Sequence, residues 1–425
     1  MKIALINPPS PFLIDEKVFP NLGLVSVATS LKKKGIDVNI IDLAGNKDYL
    51  KTVDNLANEY KTFGISSTTP QFKYTYQIAK RINSNDKFSR IYLGGAHASA
   101  MLQLKKKHID DNNLLILDFF DGVFGGEGEN VSLFPTQYVM KVINDIDELP
   151  IPDRSLIDIK SYKFKLNGKP TTSIITQRGC AYQCDFCCGR DIPMYNKVRT
   201  HSTKRVLEEM DYLNNKFGYE SFMWFDDEIN LKTDRLKNLC DALENRPYQH
   251  RGFVRNDLIV QHPEIVKYLK KAGFVKLCSG VESGSDRTLK LINKGTTSDI
   301  NTKARKIIGD EGIHYEAFTL IGHPSETRYN IAKTINWILE NKPDDFDINI
   351  ITPYPGSKIY DNSVPSTEFK DYAWEYKGLY FNKPNYSKED SYYKGIDRQS
   401  HSNVRTKTLT NDDLTKIRNE MEELK

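Results

Sequence analysis

The chain has 425 residues, 39% of them hydrophobic and 27% charged, with a formal net charge of +4. That composition belongs to a folded, water-soluble class of protein, long enough for two domains and a tail. So small a net charge gives no reason to expect nucleic acid or an anionic membrane as partner, and no apolar run approaches the ~20 residues of a membrane span.

The first 130 residues alternate strand and helix. Lys2–Asn7 is a short apolar strand that stops at Pro8-Pro9, so it reads as a buried strand and not as a leader peptide. Leu24, Val27, Ala28 and Leu31 recur at helical spacing after Asn21, a candidate cap, and Lys32–Lys34 with Gly35 close that helix. Ile36–Asp42, Phe63–Ser67, Ile91–Leu93 and Gly122–Gly125 are the next strands, with Ile78, Ala79 and Ile82 marking another helix. The alternation predicts a doubly wound, Rossmann-like parallel sheet. Ligands on such sheets sit beyond the carboxyl ends of the strands, which here read Asn7-Pro8-Pro9, Ser66–Pro70, Gly94–His97 and Gly125–Glu129. Residues 130–168 read as a connector, stiffened by Leu149-Pro150-Ile151-Pro152.

From Thr171 the rhythm becomes a series of β/α units. Ser173–Thr176 is the first strand, and Val206, Leu207, Met210, Leu213 and Phe217 then line a helix ended by Gly218. Further strands run to Asp226-Asp227-Glu228, Arg255, Ser279–Gly284, Gly322-His323-Pro324 and Pro353–Gly356. Six strands fall short of the eight of a closed (β/α)8 barrel and predict a partial (β/α)6 barrel. Residues 361–425 leave that rhythm. They carry Tyr372, Tyr376, Tyr380, Tyr386, Tyr392 and Tyr393, read as a loop-rich extension that caps the barrel or packs on its flank, and end in a helix capped by Thr410 or Asn411. The expected division is 1–135, 136–168, 169–360 and 361–425.

After the first barrel strand, Cys180, Cys184 and Cys187 stand three and then two residues apart. One tight loop can aim three thiolates at a single point, saturating three irons of a 4Fe–4S cube and leaving the fourth open. A zinc site would want a second ligand pair, and His201 stands alone. A disulfide reading fails on context, since no signal segment is evident and all six cysteines lie from Cys180 onward. Cys188, beside a ligand, is a spare, while Cys240 and Cys278 read as core.

The Cys-x3-Cys-x2-Cys spacing, with Phe186 before the last cysteine, resembles the signature of radical S-adenosylmethionine (SAM) enzymes. The early Pro8-Pro9, Leu22-Gly23-Leu24, Ile40-Ile41-Asp42, Gly94-Gly95-x-His97 and Gly125-Gly126-Glu127-Gly128-Glu129 follow an order similar to the cobalamin-binding domain that precedes many such cores. One departure is Ala44, which stands where a cobalt-ligating histidine would be, so no protein imidazole is expected on the lower cobalt face.

The resemblance implies a cluster on the three cysteines whose open iron chelates SAM, which one electron cleaves to a 5′-deoxyadenosyl radical. It implies SAM contacts from Phe186, Asp226 or Asp227 (ammonium), Arg255 (carboxylate or cluster), Glu282 with Ser283 (ribose), and Gly322 with Pro324 (adenine). Cobalamin contacts are expected from Pro9, Ser67, Thr68, Thr69, Gly94, Gly95, His97, Gly126 and Glu127, although an exposed loop histidine suits His97 equally well. Any single mouth carboxylate also has a plain reading as a solvated charge or helix cap, Asp227 and Glu326 above all. The function implied is a cobalamin-dependent methyltransferase acting on an unactivated carbon or phosphorus centre. Cyclisation or rearrangement on the same machinery, and a non-catalytic corrin-binding sensor, are the alternatives. A methylthiotransferase is disfavoured because no cysteine precedes Cys180 to hold a second cluster. The expected setting is cytoplasmic, with a small-molecule or peptide substrate and an electron donor such as flavodoxin or ferredoxin.

Overall fold

In the computed structural model, which describes residues 2–130, 138–390 and 401–425, the N-terminal pattern forms a parallel sheet. Its elements in chain order are β1 (Lys2–Asn7), α1 (Leu22–Lys33), β2 (Asp37–Asp42), α2 (Tyr49–Leu56), β3 (Thr62–Ser66), α3 (Phe72–Asn85), β4 (Arg90–Gly94), α4 (Ala96–Lys106), β5 (Gly122–Gly126) and β6 (Tyr138–Lys141). The strand order is β2-β1-β3-β4-β5-β6, so the chain reverses direction across the sheet between β1 and β3. That reversal opens a crevice at the carboxyl ends of those two strands. α1 starts where Asn21 accepts the Leu24 N–H at 3.1 Å and ends in Lys32 and Lys33, which suit the negative end of the helix dipole. Strand β6 lies inside the stretch read from sequence as a connector.

After β7 (Lys165–Leu166), the second sheet is built from β8 (Lys169–Ile174), β11 (Ser221–Trp224), β12 (Gln249–Phe253), β13 (Phe274–Glu282), β14 (His314–Ile321) and β15 (Asp345–Ile350). These six are parallel and in sequential order, with β7 antiparallel at the edge, which is the curled partial barrel predicted. A small ribbon of β9 (Gln177–Arg178) and β10 (Arg199–Thr200) flanks the loop after β8, with α5 (Pro193–Asn196) between them. The outer layer is α6 (Thr203–Phe217), α7 (Thr233–Leu243), α8 (Asn256–Gln261), α9 (Ile265–Lys271), α10 (Asp286–Leu291), α11 (Ser298–Asp310) and α12 (Arg328–Asn341). α6 has Ser202 as its N-cap and Gly218 in the left-handed region as its stop.

The C-terminal extension departs from the loop-rich expectation. After α13 (Lys358–Asp361), β16 (Val364–Phe369), β17 (Tyr372–Tyr376), β18 (Leu379–Phe381) and β19 (Val404–Thr406) form an antiparallel sheet, followed by α14 (Asn411–Glu422). Its polar, proline-containing edge strand carries no apolar run that would announce it. Thr410 caps α14 in a reciprocal capping box with Asp413. Tyr392 and Tyr393 lie outside the described residues. Among the described residues, no helix is long and apolar enough to cross a membrane.

Candidate functional site

The loop after β8 is held from both sides before it reaches the cysteines. Asp226, at the end of β11, accepts from the Thr176 N–H (2.6 Å), the Thr176 hydroxyl (2.5 Å) and the Gln177 N–H (3.0 Å). Burial pushes its carboxyl up to about 6 despite those donors. Gly179 follows with φ +89, where a side chain would stand 2.3 Å from the Lys197 carbonyl, so this turn admits only glycine. The Cys180 N–H then donates to the Tyr195 carbonyl at 2.9 Å.

Cys180 and Cys184 are buried and Cys187 is partly so. Burial pushes the Cys187 thiol up to about 12, with Arg190 opposing and Cys184 and Cys180 adding to the rise. Burial also works against the Arg190 charge, yet Cys187, Asp227, Cys180 and Cys184 outweigh it and hold the guanidinium ionised. Three thiols thus share one cationic neighbour, a donor set suited to a cluster that binds them as thiolates. Among the described residues no group of three or more His, Cys, Asp or Glu is placed to hold a metal ion. A cube that offers each thiolate its own iron asks for a wider triangle. His201, the one candidate partner for a zinc reading, instead pairs its Nδ1 with Asp147 at 3.0 Å.

Two further cations sit beneath the loop. The Arg255 guanidinium stacks 3.4 Å from the Tyr182 ring centroid, while its Nε bonds Asp257 at 2.8 Å and its Nη2 the Lys294 carbonyl at 2.8 Å. Lys294 Nζ meets Glu282 at 2.8 Å, both side chains buried, and Glu282 reaches it through a β-bulge with φ +62. Gly280 makes room for that pair, since a Cβ there would fall 2.2 Å from the Glu282 carboxylate. Burial lowers the Lys294 pKa, but Glu282, Cys184 and Glu228 together raise it. Glu228 itself is pushed up to about 7 by burial, and its Oε2 finds no hydrogen-bond partner. An orphaned oxygen between buried cations fits a site that receives a polar ligand.

On the other flank, Asp185 accepts from Tyr376 (2.8 Å) and Lys377 (2.9 Å) of the C-terminal extension. Phe186 lies 6.4 Å from the His323 ring and 5.9 Å from Lys294 Nζ. Gly322 (φ +81) and His323 give their N–H groups to Glu326 at 2.7 and 3.1 Å, and Pro324 is buried behind them.

Facing the cluster loop, a cavity of about 420 Å³ opens between the two sheets. Leu5, Gly64, Tyr92 and Phe124 form its floor on the N-terminal sheet, and Leu24, Val27 and Leu31 of α1 form one side. Gly64 lacks a side chain where a Cβ would press on Leu5 at 2.7 Å, which keeps this groove open. Ser67, Thr68, Gly94, Gly95, Gly126 and Glu127 line the strand-end rim, and Arg178, Gly179, Tyr195, Phe225 and Asp227 close it from the barrel side. A glycine-edged apolar slot at a sheet switch point suits one edge of a large flat ligand such as a corrin. Among the described residues no histidine lines this cavity, and Ala44 is buried near the end of β2.

The structure therefore brings together six of the residues proposed for cobalamin and sets three apart. Pro9, Thr69 and His97 stand back from the wall. His97 is neither an exposed loop residue nor a cavity group. Its ring is fully buried, 4.1 Å from Phe72, with Nδ1 3.2 Å from the Thr69 hydroxyl, and burial lowers its pKa to about 3. Of the residues proposed for SAM, Asp227 lines the cavity, whereas Asp226 is spent on the loop. Ser283 turns toward the outer layer, its hydroxyl 3.1 Å from that of Thr334 on α12 and accepting the Ser285 N–H. Sequence reasoning gave no role to Glu228, Lys294, Tyr195 or Arg178. Glu228 carried a signal as the third acid at a strand end, but the Lys294–Glu282 pair joins a bulge in β13 to the loop after α10, which no local pattern announces.

A family model described as the radical SAM superfamily matches residues 174–338, and one described as a B12 binding domain matches residues 16–112. An uncharacterized methyltransferase of Pyrococcus horikoshii is 26% identical over 88% of this chain and 85% of its own length. The anaerobic magnesium-protoporphyrin IX monomethyl ester cyclase of Cereibacter sphaeroides is 25% identical over 54% of this chain and 38% of its own. The fold is also that of the radical SAM methyltransferase TsrM from Kitasatospora setae, solved with tryptophan substrate and a SAM analog (TM-score 0.65, 16% identity, 84% of this chain and 74% of that one). The two matches fall on separate stretches, one on the N-terminal sheet and one on the partial barrel, so the chain carries a B12-binding domain ahead of a radical SAM domain, a pairing that implies a 4Fe–4S cluster, SAM and cobalamin as its cofactors.

Proposed function

We propose that the protein is a cobalamin-dependent radical SAM methyltransferase acting on an unactivated carbon, or phosphorus, centre of a small-molecule or peptide substrate. The observation that carries this reading is the shared cavity: its floor and rim belong to the N-terminal sheet and its far wall to the cluster loop. When bound, the cluster would supply the electron that cleaves SAM, and cobalamin would supply a carrier for the methyl group. Cys180, Cys184 and Cys187 would hold the cluster. Arg190, Arg255 and Lys294 offset its negative charge. Asp227, Phe186, Glu282, Gly322 and Pro324 would stand around it as candidate SAM contacts, and Ser67, Thr68, Gly94, Gly95 and Gly126 would present a small-residue, mostly backbone rim to the corrin. The apolar floor keeps water from the reacting centre. An electron donor such as flavodoxin or ferredoxin, a cytoplasmic setting and the division at residues 135, 168 and 360 belong to the same reading.

The test is anaerobic reconstitution with iron, sulfide and hydroxocobalamin, followed by dithionite and SAM. Bound iron and corrin with formation of both 5′-deoxyadenosine and S-adenosylhomocysteine support methyl transfer. A protein that forms 5′-deoxyadenosine alone would favour the second reading, cyclisation or rearrangement, toward which the cyclase relative points. A protein that binds corrin and leaves SAM intact would be a sensor.

A further inference from the structure

Arg178 and Arg199 stand directly opposite each other in the β9–β10 ribbon. Like charges at facing positions repel, and burial makes that worse. The carboxylates that resolve the conflict come from the turn after β5, in the other sheet. Glu127 Oε1 bonds Arg178 Nη1 at 2.7 Å, and its Oε2 bonds Arg199 Nη1 at 2.5 Å. Glu129 Oε1 bonds Arg178 Nη2 at 2.7 Å and is itself fixed by the Ser26 hydroxyl at 2.9 Å. Glu127 and Glu129 are 3% and 6% exposed, so these pairs are shielded from the screening that weakens surface ion pairs.

The turn that carries the two glutamates is also cavity wall, since Gly126 and Gly128 line it beside them. It has little freedom. Gly126 has φ +82 with the Lys141 carbonyl 2.0 Å from where a Cβ would stand, and a Cβ on Gly128 would meet Val27 at 2.9 Å. At the other end of the bridge, one residue separates Arg178 from Cys180, and that residue is the constrained Gly179. Displacing the turn pulls on the Arg178 guanidinium through both ion pairs, and the constrained Gly179 leaves the backbone between Arg178 and Cys180 little slack to absorb that pull.

We propose that Arg178 is a positioning residue that ties the geometry of the cluster loop to the corrin-side turn Gly126–Glu129, so that filling the cavity on one side is felt at the cysteines on the other. This rests on the reading above that a corrin occupies the cavity and a cluster the cysteines.

The experiment uses the full chain reconstituted anaerobically, with hydroxocobalamin as the probe. Cobalamin affinity is read by absorbance, and the reduced cluster by electron paramagnetic resonance with and without the corrin. Wild type should show cluster g-values that shift when cobalamin binds. Glu129→Gln, which spares the Glu127–Arg199 pair, and Arg178→Lys, which keeps the charge but loses the two-pronged contact, should each weaken cobalamin binding about tenfold and abolish the shift. Combined, they should cost no more than about twofold beyond the worse single variant, since both break one link. A shift that persists in Glu129→Gln, or losses that multiply in the double variant, would overturn the inference while leaving the cofactor reading intact. A wild type that binds corrin and cluster with no shift overturns it equally. A wild type that takes up no corrin or no cluster fails the cofactor reading itself and the inference with it.

Discussion

The two parallel sheets of this molecule use their strand ends in opposite ways. The N-terminal sheet ends its strands in glycines, hydroxyls and bare backbone, around a floor of Leu5, Tyr92 and Phe124. The barrel ends its strands in charges, and buries them: Asp226, Arg255 and Glu282 are all nearly inaccessible. Of the charges that the N-terminal sheet does carry at its strand ends, Asp42 is paired with Lys17, while Glu127 and Glu129 bond the barrel's ribbon. A neutral, apolar rim suits a large flat ligand held by shape, whereas a nest of paired charges suits a small zwitterion beside an anionic cluster. One fold principle, ligands at the carboxyl edge, thus yields two different linings on adjoining sheets, with Asp227 and the Arg178–Gly179 turn on the barrel side of the cavity between them.

The most damaging change falls on the charged side. Cys184→Ala should abolish cluster assembly and all 5′-deoxyadenosine formation while leaving the fold in place, measured by iron and sulfide content and by product analysis. Persisting SAM cleavage in that variant would remove the basis for assigning the chemistry to this loop. Next comes Glu282→Gln, which strips Lys294 of its partner in a buried site. Breaking a buried pair costs about 3–5 kcal/mol because the remaining charge stays dehydrated. The matching probe on the neutral side is Ser67→Ala. Among the described residues the Ser67 hydroxyl donates to the Thr68 carbonyl (2.8 Å) and accepts from the Thr75 hydroxyl (3.0 Å), so the loss should be about 1 kcal/mol. Denaturant titration of both variants checks the contrast, and equal losses would erase it.

The neutrality of the corrin side also has a spectroscopic signature. With Ala44 near the end of β2 and no histidine on the cavity wall, bound cob(II)alamin should be base-off with no protein nitrogen on cobalt. Nitrogen superhyperfine splitting from the protein in its paramagnetic resonance spectrum would contradict this arrangement.

Much of this contrast could be read from the chain itself. Strand ends show as glycine or acid clusters after apolar runs, and the cysteine spacing places its own loop. What escaped was whatever depends on meeting across space. His97 looked like a rim residue because Gly94-Gly95 precedes it, yet the first turn of α4 carries its ring inward onto Phe72. Ser283 followed Glu282 in sequence, but a bulge at Gly280–Glu282 turns the two side chains apart. The antiparallel sheet of the extension pairs Leu379–Phe381 with Val404–Thr406 across more than twenty intervening residues, so no local turn signal announces it. Arg178 stands two residues before the first cysteine and Glu129 closes the Gly125–Glu129 run, and only the packing of one domain on the other joins them.

The mildest expected effect isolates what burial alone does at the barrel mouth. Glu326 accepts the Gly322 and His323 N–H groups with one oxygen, while the other is buried without a partner. Burial pushes this carboxyl up to about 8, with those two N–H groups opposing the rise and no charged side chain among the causes. Burial lowers the neighbouring His323 from 6.5 to about 4, which adds an opposite slope below pH 6.5, but wild type and a Glu326 variant share it, so it cancels in their difference. In the unfolded chain the glutamate releases its proton near its ordinary value of 4.5. Between that point and about 8, the unfolded chain is the state that has given up the proton, so the folded state loses stability as pH rises. The loss is on the order of 1 kcal/mol for each pH unit crossed, and it levels off once the folded carboxyl ionises. Glu326→Gln keeps an acceptor for the two N–H groups and has no proton to release. Denaturation of both proteins from pH 5.5 to 7.5 should therefore show the glutamine variant gaining on wild type as pH rises. Curves that stay parallel over that range would mean the carboxyl is already ionised in the folded protein and that the mouth holds charge there as it does at Glu282.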